Sequence, residues 1–204
     1  MTRWTMLSIP ALALSSLVAC GGSAPGDAPA TPDPASGAEA APAAPAVDPE
    51  FEQLKSMVPV DACAWLPAEK LAAAYPGLAF EVAQKVEPRM SGYVWDSRCT
   101  YYAGVGTIEF AKDAPTHTVE IFVATPVSEA KALANLASRR EGAASTTGFE
   151  PQPSLGEKAY STTPTGVGRL YFVKGGSEVQ INVSDLETPS AAKIQKAIAL
   201  AESL

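Results

Sequence analysis

The sequence predicts an α+β domain: an antiparallel sheet with helices packed on one face, built as two β-β-β-α repeats preceded by a helix. Three observations carry this. A set of three segments occurs twice, in the same order and at similar spacing. The strand segments alternate apolar and polar residues with a period of two. Each copy closes on an amphipathic helix.

The repeats run over about 98–141 and 158–203. Gly104, Val105, Gly106, Phe110 and Lys112 recur as Gly166, Val167, Gly168, Phe172 and Lys174. Val119, Ile121 and Val123 then match Val179, Ile181 and Val183, and Ser128, Ala130 and Lys131 match Ser190, Ala192 and Lys193. In the strands, Ile108 and Phe110 share a face, as do Leu170 and Phe172. Glu120 in one copy, and Glu178, Gln180 and Asn182 in the other, fall on the opposite face. That is the pattern of a sheet with one covered face. The first strand of each copy is read at 99–102 and 158–162. Gly175-Gly176 suits a tight hairpin between the last two strands.

The helix closing the first copy is expected over 126–140, with Ala130, Leu133, Leu136 and Ala137 inward. Arg139 and Arg140 complement its C-terminal dipole and Gly142 ends it. The second is expected from Thr188 as cap and Pro189 as first residue, burying Ile194, Ala197, Ile198 and Ala201. Ahead of the repeats, Asp48-Pro49-Glu50 reads as a capped helix start, with Phe51, Leu54, Met57 and Val58 on one side. Pro67 opens another helix that Pro76-Gly77 ends, with Leu71 and Tyr75 four apart. A strand is expected near 80–86. The stretch 88–98 reads as a loop of mixed texture. Its Tyr93, Trp95 and Arg98 are the candidate binding surface; alternatively, the aromatics cover the sheet edge.

The N-terminus has a different character. Residues 1–19 combine one basic residue, Arg3, with an apolar run broken by Ser, Thr and Pro. The run is too short for a transmembrane helix and suits a secretory signal. It ends in Leu17-Val18-Ala19-Cys20, which resembles the lipobox of bacterial lipoproteins. The resemblance implies cleavage before Cys20 and acylation there, palmitate being one such chain, so the membrane is reached through a lipid anchor. Gly21 rather than Asp follows the cysteine, which in that group implies sorting to the outer membrane where the source has two membranes. Residues 20–48 form a linker in which Ala and Pro dominate and aromatics are absent. Such a segment buries too little to offset its ordering entropy, and its prolines favour extended chain reaching ~60–90 Å.

Cys63 and Cys99 remain, an even number in the oxidising compartment that export implies. They are read as a disulfide closing a loop worth about 3.5–4 kcal/mol in chain-entropy terms. Cys63 lies just ahead of Leu66-Pro67-Ala68-Glu69, and Cys99 is followed by Thr100-Tyr101. This is similar to a group of small cell-envelope lipoproteins of unknown function. They carry a Cys before a Leu-Pro-Ala-Glu helix and a later Cys-Thr-Trp strand; Tyr101 stands where that Trp falls. The resemblance spans roughly residues 60–200 and implies no catalytic residue.

Charge excludes some functions. The net charge is −7, and from Asp61 onward sixteen acidic side chains face thirteen basic ones. That leaves no basic footprint for nucleic acid. The one histidine, His117, lies in a loop leading into a strand, so a hydrolase would have to use it. No Gly-x-Ser-x-Gly elbow, phosphate loop or metal-ligand spacing occurs, and no cofactor is expected. These features point to a non-enzymatic binding or protein-interaction domain in the periplasm-facing envelope, with an envelope protein as partner. The alternative is a carrier of a small apolar ligand held between sheet and helices.

Overall fold

The computed structural model describes residues 47–104, 114–186 and 188–204. The signal segment 1–19, Cys20, the linker up to residue 46 and the strand expected over 105–112 lie outside the described residues.

Helix α1 spans Pro49–Ser56. The Asp48 carboxylate accepts from the Glu50 and Phe51 amides at 2.9 and 3.4 Å, so two otherwise orphan donors are satisfied. Val58-Pro59 follows the end of the helix. Asp61 caps the single turn α2 (Ala62–Trp65) in the same way. α3 (Ala68–Ala74) follows Pro67, and its Leu71 is buried, as is Tyr75 just beyond.

Residues 88–98 are not a loop. They belong to a hairpin of β1 (Glu81–Ser91) and β2 (Val94–Ala103), joined at Gly92, whose φ of +60° suits the turn. β1 is an edge strand. Two register shifts, Pro88 and the charged pair Lys85 and Glu87 interrupt its outer side, features that discourage pairing with another chain. β3 (His117–Pro126) leads into α4 (Glu129–Ala143), capped by Ser128. Gly142 lies within α4 instead of ending it. β4 (Glu150–Pro151), β5 (Tyr160–Thr162), β6 (Gly168–Lys174), β7 (Ser177–Asp185) and α5 (Ser190–Ser203) complete the fold. Gly175 and Gly176, at φ +56° and +77°, make the expected turn between β6 and β7. α5 starts one residue later than expected, with Pro189 at the cap position.

The seven strands form one antiparallel sheet in the order β1-β2-β3-β7-β6-β5-β4. The two halves meet at β3 and β7. Val119 sits opposite Val183, Ile121 opposite Ile181, and Val123 opposite Val179. The matched residues of the two copies therefore pair about a local two-fold centred on the isoleucines. All six side chains point to one face. There they pack with Cys99, Tyr101, Leu170 and Phe172 under Leu66, Leu71, Ala197, Leu200 and Ala201.

The α+β class is as the sequence predicts, and α2, α3 and α5 share the core face. α4 lies on the other face. Its Leu133 and Leu136 approach Val173, and its Arg139 meets Glu178; both targets alternate away from the core. Ala132 and Leu136 are its buried residues, while Leu133, expected inward, is 41% exposed. α5 buries Ile194, Ala197 and Ala201 as expected, and Leu200 with them. No described helix is long and apolar enough to cross a membrane.

Cys63 and Cys99 are bonded, 36 residues apart, and tie α2 to β2. Ser97 reinforces the tie: its hydroxyl donates to the Val60 carbonyl at 2.8 Å and accepts from the Ala62 amide at 3.1 Å. Replacing both cysteines by Ser should lower unfolding stability by about 4 kcal/mol. Urea denaturation of the two forms measures this.

Candidate functional site

The face turned away from the core is polar by construction. Register aligns Arg98, Phe122, Gln180 and Tyr171 in one row across four strands. The next row along the strands holds Thr100, Glu120, Asn182 and Arg169. Asp96, Ala124, Glu178 and Val173 form the row on the other side. α4 covers the β6–β7 part of this face and leaves a groove of about 290 Å³ beside it, lined by Arg98, Glu120, Phe122, Arg139 and Gln180.

The groove side chains hold one another. Gln180 Nε2 donates to Asn182 Oδ1 at 2.8 Å, and Asn182 Nδ2 donates to Glu120 Oε2 at 2.7 Å. The other Glu120 oxygen faces Arg98 Nη1 at 3.4 Å. Across the groove, Arg139 Nε lies 3.4 Å from Glu178 Oε2. Both guanidinium groups are more than two-fifths exposed and spend only one long contact each, so most of their five donors are free. The site is thus a rigid amide–carboxylate chain flanked by two lightly engaged arginines. It offers binding groups of both polarities and no activated nucleophile.

The candidate surface of the sequence analysis is divided by the structure. Arg98 lines the groove. Trp95 points to the core side, where its indole Nε1 donates to the Leu54 carbonyl at 2.8 Å. Tyr93 sits at the hairpin turn, its hydroxyl donating to Asp48 Oδ2 at 2.6 Å and its ring edge-on to Phe51. That hydrogen bond raises the Tyr93 pKa and lowers that of Asp48. Lys131 of α4 adds an ion pair to Glu50. Tyr93 and Trp95 therefore dock α1, whose Leu54 is fully buried. The sequence singled out Arg98 but not Glu120, Arg139 and Gln180 as its companions. The signal available was the polar alternation of β7, which marks the face without marking the groove.

His117 falls at the opposite end of the sheet, on the core side. Its Nδ1 lies 2.9 Å from Thr116 Oγ1, and its ring meets Tyr75 edge-on at 5.8 Å. Lys196 Nζ stands 4.3 Å from the Tyr75 ring centre, 3.4 Å from Asp185 Oδ2 and 3.1 Å from Thr188 Oγ1. Burial pushes the Tyr75 phenol well above its ordinary pKa. Burial also pushes Asp185 upward, but hydrogen bonds from Thr188 and the Lys196 charge outweigh it and hold the carboxyl below the usual range. These contacts clamp the start of α5 to the sheet. Among the described residues, no three His, Cys, Asp or Glu side chains group as a metal site.

No family model and no curated protein matches the chain. Among solved structures, the extracellular domain of PknH from Mycobacterium tuberculosis is similar at 12% identity, covering 71% of this chain and 96% of that one with a TM-score of 0.49.

Two outcomes are expected. Trp95→Phe should cost about 1 kcal/mol, the worth of one hydrogen bond, and speed proteolysis near residues 47–58 while the rest of the sheet resists. Limited proteolysis checks this. Asp185, depressed in the folded state, contributes stability above its unfolded pKa of ~3.9, which is lost as pH falls through the folded value. Asp185→Asn should therefore melt lower than the parent at pH 7, and the gap should narrow below about pH 4 in a series of thermal melts.

Proposed function

We propose that this is a lipid-anchored protein of the bacterial envelope, tethered through Cys20, whose folded part is a non-enzymatic binding or protein-interaction domain. It faces the extracytoplasmic space, and the outer membrane carries it where two membranes are present. The lipobox-like Leu17-Val18-Ala19-Cys20 supports the anchor. The Cys63–Cys99 disulfide supports an oxidising compartment.

The observation that carries the binding role is the hydrogen-bonded groove on the sheet's polar face. A solvated sheet face carries scattered charges; here four side chains from three strands are linked into one network beside free guanidinium donors. The carrier alternative needs space between sheet and helices. Tyr101, Phe172, Ile121, Leu170 and Leu200 occupy that layer, all nearly or fully buried.

Growth with an alkyne-tagged palmitate tests the anchor. The parent should take the label and partition with membranes. Cys20→Ser should lose the label and appear in the soluble extracytoplasmic fraction. Equal labelling of the two forms would rule the anchor out.

A further inference from the structure

Two arginines from different elements border the groove beside α4, and one acid borders it with them. Arg98 comes from β2 and Arg139 from α4, while Glu120, Phe122 and Gln180 complete the lining. The lining therefore carries one positive charge in excess. Glu178, the partner of Arg139, is buried and does not line the groove. Glu120 is held chiefly by Asn182, at 2.7 Å, and its other oxygen stands 3.4 Å from Arg98. Charge-assisted bonds from a guanidinium to a carboxylate are about 2.7–2.9 Å long, so Arg98 is under-engaged. Arg139 meets Glu178 at the same long distance and through Nε. Both of its terminal nitrogens are left without a partner among the described residues.

A guanidinium presents its donors in a flat fork that matches the two oxygens of a carboxylate. Two such forks on one groove, each with donors to spare, mark it for an anion. Glu120 limits how much negative charge the groove accepts. A monoanion neutralises the one excess cation, whereas a dianion would face Glu120 with a charge left over. The chain's net charge of −7 opposes any anion at long range. Solvent ions screen that charge beyond about 8 Å, so the side chains at the groove decide. Phe122 supplies the second feature. Register places it between Arg98 and Gln180 in one row, which gives the groove an apolar patch beside the arginine. The volume of about 290 Å³ suits a small molecule. A ligand whose flat apolar body lies against Phe122 and whose carboxylate meets the guanidinium groups uses both features.

We infer that the groove between β2, β3, β7 and α4 binds a small carboxylate monoanion with a flat apolar body. Arg98 and Arg139 take the carboxylate, and Phe122 takes the body. This rests on the binding-domain reading of the previous subsection and is independent of the lipid anchor. The test is titration of the isotope-labelled full chain with benzoate, read by amide NMR shifts. Neutral benzamide, the dianion phenyl phosphate and acetate, which lacks the ring, are titrated beside it. Benzoate should shift the amides of Arg98, Phe122 and Gln180 and bind about tenfold or more tightly than benzamide or acetate. Arg98→Ala and Arg139→Gln should each weaken benzoate about tenfold or more. Lys55→Ala, on the exposed side of α1, should leave it unchanged. Thermal melts confirm that the variants are folded. If either arginine variant is not, Arg98→Lys serves; it keeps the charge, loses the fork and should also weaken benzoate. Four results would each overturn the inference: no groove shift with benzoate, benzamide or acetate matching benzoate, phenyl phosphate binding more tightly, or benzoate binding that both arginine variants leave intact. A protein crosslinked to this face with no benzoate shift there would overturn it while leaving the binding-domain reading in place.

Discussion

The pairing of β3 with β7 sets the rest of the structure. It joins the two halves of the chain, and its register brings Val119, Ile121 and Val123 against Val183, Ile181 and Val179. Because side chains alternate, that register assigns every residue of both strands to a face at once. A slip of either strand by one residue would turn its three apolar side chains to solvent and bring Glu120 of β3, or Gln180 and Asn182 of β7, into the core. Burying those groups without partners costs several kcal/mol, so the register is strongly specified. The core and the polar network are thus two results of one alignment.

The flanking helices use the two faces differently. α3 and α5 seal the core side, helped by the disulfide that pins α2 to β2. α4 lies on the polar side, where it contributes Arg139 to the groove and Lys131 to the docking of α1. In the sheet β2 stands beside β3 as β6 stands beside β7, so β2 takes the place that the repeat predicts for the strand over 105–112, and the two halves do not match strand for strand. α5 closes a core, while α4 builds the wall of a groove.

Strand identity was legible because the alternation in β3, β6 and β7 is unbroken and glycines punctuate it. The disulfide was legible from parity and compartment. The face taken by α4 was not, because a strand's alternation says nothing of which side the following helix chooses. Residues 88–98 read as a loop since Arg89, Ser91, Asp96 and Arg98 dilute the apolar signal. Gly92 at the centre of the stretch was the available clue to a hairpin. Tyr93 and Trp95 looked like a recognition surface because their partners, Asp48 and Leu54, lie some forty residues upstream. The groove needed the register of three strands, which no local pattern contains.

The bulged outer edge of β1 limits how the sheet can be extended. An open strand edge invites a neighbouring chain to continue the sheet. Here Pro88 has no amide to offer, the two register shifts twist the ladder away from straightness, and Lys85, Glu87 and Arg89 resist dehydration. At the far edge β4 is only two residues long. Both edges of the sheet therefore offer a neighbouring chain little straight, unpaired ladder to extend.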